Sequence, residues 1–117
     1  MKRDMDLVRQ ILVEVEKWPH QHRGVLAFEG RSHEEIAYHV KLLCQAGLME
    51  AIDATSTSGL NWIPRSLTWE GHEFLDAARD DTRWNRTKAL VKDKAGAVSF
   101  EIKKQLLVSL AKQAVGL

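Results

Sequence analysis

The 117-residue sequence contains one cysteine, two prolines and no long uninterrupted run of apolar residues. Cys44 has no second cysteine with which to form an internal disulfide, which fits a reducing cytoplasm. A membrane-spanning helix needs about 18 or more consecutive apolar residues, so none is expected. Residues 1–3 lead into acidic residues rather than an apolar stretch, so we expect no secretory signal. We therefore expect a cytoplasmic protein without membrane contact.

Neither sign of charge dominates, because 17 Lys and Arg side chains stand against 16 Asp and Glu, a net charge of +1. Apolar residues make up 44% and charged residues 28% of the chain, which excludes disordered, collagen-like and coiled-coil classes. Total charge does not indicate a strongly electropositive nucleic-acid binder. Six lysines against two acidic residues lie in residues 88–117, where they either face phosphate groups or keep helices soluble.

The sequence lacks the motifs of catalysis and of metal binding. Its glycines are scattered singly, so there is no phosphate-binding loop. The histidines and Cys44 lack zinc-site spacing, and Ala37 stands where a second His would complete a metalloprotease motif starting at His33. Asp80 and Asp81 are sequence neighbours, whereas general acid–base catalysis needs facing carboxylates in a cleft. We predict a non-enzymatic protein without metal, cofactor or small-molecule substrate.

The first elements are a helix and a short strand. Apolar residues at helical spacing predict a helix over residues 5–17, with Asp4 or Asp6 as its N-cap. This helix stops before Pro19, because proline pushes the preceding residue out of the α region. The apolar run 25–28 is too short for a helix and predicts a strand.

A second helix is predicted over residues 33–46. Ser32 precedes it as N-cap, and Glu35 three residues later completes a capping box. Gly47 stands where a residue with left-handed backbone is needed, and Leu48 follows as the apolar residue of a Schellman ending. This is the helix with the clearest start and stop signals in the chain.

Residues 48–67 predict a β-hairpin whose tip is polar and flexible. A third helix follows, capped by Thr68, with a break near Asp81 and a restart at Thr82. Trp69 and Trp84 fit this helix and its continuation, and we predict that both belong to the core. A last helix is predicted after residue 99.

A helix that ends in a tight Gly turn and leads directly into a hairpin is typical of a winged helix. The hairpin is then the wing and the helix over 33–46 the recognition helix. Residues 18–31 show no helical period, so the scaffolding helix is absent, reduced to a turn or supplied elsewhere. We predict an α+β, mainly helical fold, with one winged-helix-like domain over residues 1–117. It comprises a core over 4–80 and a C-terminal helical extension over 82–117.

Several stretches resemble an uncharacterised family of small bacterial and prophage-encoded proteins. They are residues 1–9, the stretch from 35–39 through 46–48, and residues 67–76. The resemblance as a whole covers nearly the whole chain. It implies a winged-helix-like fold and phage association, and it carries no assigned functional residues. Ala-Gly-Leu at 46–48 and the Leu-Thr-x-x-Gly pattern starting at Leu67 are also similar to winged-helix regulators generally.

The first functional hypothesis is a DNA-binding or transcription-regulatory protein that binds double-stranded DNA. The outer face of the second helix presents Tyr38, Lys41 and Gln45, which suit contacts with bases and phosphates. Arg65 is the basic residue nearest the wing tip. Glu34 lies on the same helix face as Lys41, however, and phosphate neutralisation supplies much of the affinity for DNA. A solvated polar face is the alternative interpretation.

The second hypothesis is a protein–protein interaction module on the same scaffold, without DNA binding. Trp62 stands in the hairpin beside polar residues and is a candidate partner contact, because interfaces are enriched in Trp. Leu107 and Leu110 belong to an apolar strip of the last helix, which either closes the core or forms a homodimer. Winged-helix proteins commonly dimerise through terminal helices, which is an analogy at the level of the fold.

Overall fold

The computed structural model describes residues 1–20, 22 and 24–93. Over those residues, four helices and one two-stranded antiparallel sheet form an α+β, mainly helical fold. The elements are α1 (Met5–Glu16), α2 (His33–Gln45), β1 (Met49–Asp53), β2 (Trp62–Leu67), α3 (Trp69–Ala78) and α4 (Asp81–Asp93). The predicted α+β, mainly helical class and the predicted hairpin are therefore confirmed.

The chain divides into two compact units, Met1–His72 and Glu73–Leu117. In the first unit, α1 packs against α2 and β2, and α2 also packs against both strands. Its most deeply buried apolar residues are Leu7, Val8, Ile11, Leu12, Val40, Leu43, Leu48 and Met49. In the second unit, the rings of Phe74 and Trp84 meet edge to face, with 6.3 Å between their centroids.

The N-caps of α1 and α2 are residues that the sequence predicts, Asp4 and Ser32. The Asp4 carboxylate accepts hydrogen bonds from the backbone N–H groups of positions 6 and 7, at 2.9 and 3.3 Å. The Ser32 hydroxyl accepts one from the Glu35 N–H at 3.0 Å. These bonds satisfy N–H groups that have no partner within the helix. The helix α1 ends one residue earlier than predicted, since Lys17 is already its C-cap.

The end of α2 is the predicted Schellman turn. The N–H of Leu48 donates to the carbonyl of Leu43 at 3.0 Å, and that of Gly47 donates to Cys44 at 3.1 Å. Gly47 has a φ of 75°, which is costly for a residue with a side chain. The turn places β1 immediately after the helix.

The hairpin contains a one-residue bulge. The two strands pair from Met49 and Leu67 towards the hairpin tip. Glu50 pairs with Ser66, but the next residue, Ala51, pairs with Pro64. Arg65 is therefore the extra residue of β2. Proline has no N–H for a strand ladder, and bulges are one of the places in a sheet where it is tolerated.

Thr68 joins the end of the hairpin to both neighbouring helices. Its hydroxyl donates to the Gly47 carbonyl at 2.6 Å and accepts the Gly71 N–H at 3.0 Å, as the predicted cap of α3. Its own N–H donates to the Leu48 carbonyl at 3.1 Å. The same carbonyl oxygen lies so close to Gly71 that a Cβ there would collide with it. The Leu-Thr-x-x-Gly pattern thus has a structural reason.

The prediction of a strand at residues 25–28 is wrong. The described residues form only the sheet of β1 and β2, and residues 24–28 are irregular. Val25 is 81% exposed, and only Leu26 of the run is buried. The carbonyl of Phe28 accepts the N–H of Arg31 in a turn. An apolar run of four residues does not become a strand without a neighbour to pair with.

The prediction that Trp69 belongs to the core is also wrong. Its exposed fraction is 76%, because it lies on the side of α3 opposite to the buried Phe74 and Leu75. Trp84 is 1% exposed, so its predicted core position is confirmed. The predicted break near Asp81 is also confirmed, but Asp80 is the cap of α4 and Thr82 is not. The Asp80 carboxylate accepts the N–H of residue 83 at 2.8 Å.

Candidate interaction surface

The first unit contains an open cleft of about 470 Å³ between α2 and the hairpin. Its walls come from residues 22 and 24–26, the first turns of α2 and the strand residues 52 and 62–65. We call it the α2–hairpin cleft. Its size falls in the range of about 300–1,000 Å³ that is usual for binding sites.

Apolar side chains form most of the cleft and remain partly open to solvent. Ile52 and Ile63 face each other across the two strands and are 45% and 37% exposed. Val25 also lines the cleft, and Trp62 is half-buried beside Ile63. Exposed apolar side chains that line one concavity indicate an interaction site more strongly than scattered ones.

Among the described residues that line the cleft, the titratable side chains are of the basic types Arg and His. Arg65, His33, His22 and Asn61 line it, and no lining residue within the described part of the chain is acidic. Arg65 is exposed and makes no ion pair within the described part of the chain. The bulge in β2 sets its place, because the buried Pro64 precedes it directly.

The residues predicted to contact DNA are divided between two surfaces. Tyr38, Lys41 and Gln45 lie on one stripe of α2 that does not line the cleft, whereas Arg65 lines it together with Trp62. The sequence signals did not connect Arg65 with Trp62 as parts of one concavity. The alternation of apolar and polar residues over residues 48–54 is poor, so the sequence pattern does not indicate this cleft.

The stripe of α2 is close to electrically neutral. Hydrogen bonds from Thr55 hold the pKa of the Asp53 carboxyl below its usual range, and the nearby charge of Lys41 adds to this effect. Lys41 therefore has an acidic neighbour across the turn, and Glu34 is exposed on its own helix. Tyr38 is half-buried and contacts the His39 ring edge to face, 5.8 Å between centroids.

A polar network that the sequence did not predict joins α1 to α2. The guanidinium of Arg31 donates to Asp4 at 2.8 Å and to Glu35 at 3.1 Å. His39 is fully buried. Its Nε2 accepts the Asp4 N–H at 2.8 Å, and its Nδ1 lies 2.8 Å from the Glu35 carbonyl. Because Nε2 accepts a hydrogen bond, Nδ1 is the ring nitrogen that donates to the Glu35 carbonyl.

This network also lowers the pKa of the Asp4 carboxyl. Burial by itself raises the pKa of the Asp4 carboxyl, but the hydrogen bond from Arg31, the two backbone N–H groups and the Arg31 charge together lower it below its usual range. The same two carboxylates raise the pKa of Arg31. The network fixes α1 against the start of α2, and so it supports one wall of the cleft.

Other predicted features fall outside this surface. Leu107, Leu110 and the last helix lie outside the described residues. Within residues 1–20, 22 and 24–93, no group of three or more His, Cys, Asp or Glu side chains is arranged to hold a metal ion. No helix in that part of the chain is long and apolar enough to cross a membrane. The absence of a metal, a cofactor and an enzymatic activity stays a prediction.

Comparison with known proteins agrees with the sequence resemblance at the level of the family. The family model described as "Hypothetical protein (DUF2513)" matches residues 2–97. An uncharacterised protein of Haemophilus influenzae is 42% identical over 115 residues, which cover 97% of this chain and 98% of that protein. The chain therefore belongs to the DUF2513 family. No solved structure matches it.

Proposed function

We propose that the protein is a non-enzymatic interaction module that binds an apolar segment of a partner protein in the α2–hairpin cleft. The observation that carries this proposal is the pair of exposed isoleucines, Ile52 and Ile63, in a cleft of about 470 Å³. We also propose that the scaffold is a winged helix. The direct passage from α2 through the Gly47 turn into the hairpin supports it.

Covering the cleft supplies useful binding energy. Full burial of an isoleucine side chain contributes roughly 1.5–3 kcal/mol, so burying the exposed parts of Ile52 and Ile63 contributes about 1 kcal/mol each. A partner side chain that enters the cleft gains a similar amount for itself. A dissociation constant of about 1 μM corresponds to a binding free energy near −8 kcal/mol. Two or three apolar side chains of a short segment do not supply this alone, so polar contacts must add to the affinity.

Selection from a random peptide library tests the proposal. The intact protein is immobilised and panned with displayed peptides of roughly 12 residues, a length that fills such a groove. We expect enriched peptides to carry neighbouring apolar residues and to lose binding to the Ile63→Asp variant. Trp69→Asp is the matched control, because Trp69 is an exposed apolar residue outside the cleft. Equal loss with both variants, or no enriched peptide, contradicts the proposal.

DNA binding is the second candidate, because the element order favours a recognition helix in α2 followed by a wing. Tyr38, Lys41 and Gln45 would then contact a groove, and Arg65 a phosphate. The acidic neighbours Glu34 and Asp53 oppose it, since they leave α2 without an electropositive face.

Fluorescence anisotropy with a random duplex of about 20 base pairs at about 50 mM salt distinguishes the two candidates. DNA binding predicts micromolar or tighter affinity that falls steeply with salt and weakens in Lys41→Ala. The interaction module predicts no saturable binding under the same conditions. Gln10→Ala, an exposed substitution on α1, serves as the control.

Three further properties belong to the same proposal. Cytoplasmic location is supported by the single Cys44, and prophage association by the family resemblance. A homodimer through the helix that the sequence predicts after residue 99 is proposed from Leu107 and Leu110, because their apolar pattern would suit a helix contact. Light scattering of the protein and of a Leu107→Glu, Leu110→Glu variant tests it: a dimer in the first and a monomer in the second supports this arrangement.

A further inference from the structure

We propose that the segment held in the α2–hairpin cleft is acidic as well as apolar, with a carboxylate that pairs with Arg65. This inference rests on the proposed function and names the class of partner. The juxtaposition that carries it is an exposed arginine at the edge of an apolar cleft whose lining, among the described residues, includes no acidic side chain.

Arg65 differs in its surroundings from other arginines of the structure. Arg31 binds two carboxylates, Arg79 lies 3.3 Å from Asp76, and Arg83 lies 3.9 Å from Asp80. Within the described residues Arg65 has no such partner. A guanidinium offers five donors in a planar fork that matches a carboxylate, so an unpaired one beside an apolar surface favours an anionic partner.

The other polar residues of the cleft also favour an acidic partner. His33, His22 and Asn61 line the cleft together with Arg65, and all three residue types can donate hydrogen bonds. An acidic segment can accept hydrogen bonds here, and the described residues of the lining include no repulsive carboxylate. A basic segment meets Arg65 and gains no compensating ion pair, so the cleft discriminates by charge as well as by shape.

The bulge prepares Arg65 for this contact. Pro64 is buried and has a restricted backbone, and Arg65 follows it as the unpaired residue of β2. Its backbone is therefore held in place before a partner arrives, and less conformational entropy is lost on binding. Ile63 lies two residues before Arg65, so an apolar side chain and a carboxylate close together in the partner reach both.

A protein segment fits these observations better than nucleic acid. The hairpin tip, residues 55–61, contains no Lys or Arg, and the cleft walls around Ile52 and Ile63 are apolar. A sugar-phosphate backbone requires several cations along its path. Arg65, which makes no ion pair within the described residues, lies beside Ile63 and matches an isolated carboxylate next to an aliphatic or aromatic side chain.

The experiment compares peptides selected from the random library on the intact protein and on its Arg65→Glu and Arg65→Gln variants. We expect wild-type peptides with an Asp or Glu within a few positions of an apolar pair. With Arg65→Glu the acidic preference disappears or becomes basic, while the apolar preference remains. A selected peptide is expected to bind about tenfold more weakly when its acid is changed to the amide. In Arg65→Gln that difference should fall to less than about twofold.

The outcomes separate this inference from the function on which it rests. Apolar peptides without an acidic preference overturn the pairing with Arg65 and leave the interaction module standing. No enriched peptide overturns both. Saturable duplex binding that weakens in Arg65→Gln also overturns the inference, because it assigns Arg65 to a phosphate. Trp69→Asp must retain the acidic preference, since it alters charge outside the cleft.

Discussion

Replacing Gly71 by alanine should destabilise the protein, although alanine is ordinarily the better helix former. Within a helix, Gly→Ala usually stabilises by roughly 0.5–1 kcal/mol. Here the new Cβ collides with the Leu48 carbonyl oxygen and also lies 3.0 Å from the Leu48 carbonyl carbon and 3.3 Å from the Cβ of Leu67. All three neighbours belong to the backbone or sit directly on it, so no flexible side-chain end can move aside.

The magnitude follows from what must shift. Inserting a methyl group into a well-packed site costs typically 1–3 kcal/mol. Moving α3 away also strains the bonds of Thr68 with Gly47 and Leu48, each of which contributes about 1 kcal/mol. After the gain in helix propensity is subtracted, we expect a net loss of about 1–3 kcal/mol, or a Tm lower by about 4–12 °C.

Urea unfolding followed by far-ultraviolet circular dichroism measures this loss, with the slope checking that the transition keeps its cooperativity. Asn85→Ala is the control, since Asn85 is exposed on α4 and its change should stay within about 0.5 kcal/mol. A Gly71→Ala variant as stable as the wild type, or more stable, would refute the close approach between α3 and the end of α2.

Three further predictions concern buried and capping residues. Because the fold lowers the pKa of Asp4, its carboxylate stabilises the protein above the unfolded pKa of about 3.9, and this is lost as the pH falls through the lower folded value. The stability difference between wild type and Asp4→Asn should thus be present at neutral pH and vanish in acid, as urea titrations across pH will show. His39→Leu should lose about 1–3 kcal/mol, because the Asp4 N–H and the Glu35 carbonyl lose their partner; an unchanged urea midpoint would contradict the network. Trp84→Ala should cost about 3–5 kcal/mol and Trp69→Ala less than about 0.5 kcal/mol in thermal melts, and comparable losses would show that their burial differs from that described.

The helix boundaries could be predicted because their causes lie within a few residues. Asp4, Ser32 and Thr68 each cap a helix with a side chain that bonds an N–H two or three positions later. Gly47 ends α2 by a backbone conformation that depends on its own missing side chain. Such local contacts act in every context, so the sequence pattern indicates them directly.

The features that could not be predicted depend on distant residues. Val25 lies in an apolar run that resembles a strand, but a strand forms only where another strand accepts its hydrogen bonds. Trp69 was assigned to the core by residue type, although its position on α3 places it on the outer side. The cleft arises from the register between β1 and β2, and the one-residue bulge at Arg65 leaves no mark in the sequence except the preceding Pro64.

The hydrogen bonds of Thr68 with Gly47 and Leu48 determine how well the hairpin tip tolerates insertions. Because Gly47 and Leu48 are tied to Thr68, both ends of the hairpin are anchored independently of its tip. Doubling the length of a flexible loop between fixed ends costs only about 0.6 kcal/mol. Extra residues at Ser58 are therefore accommodated without disturbing the helices, and this is the place to insert an epitope or a fluorescent label.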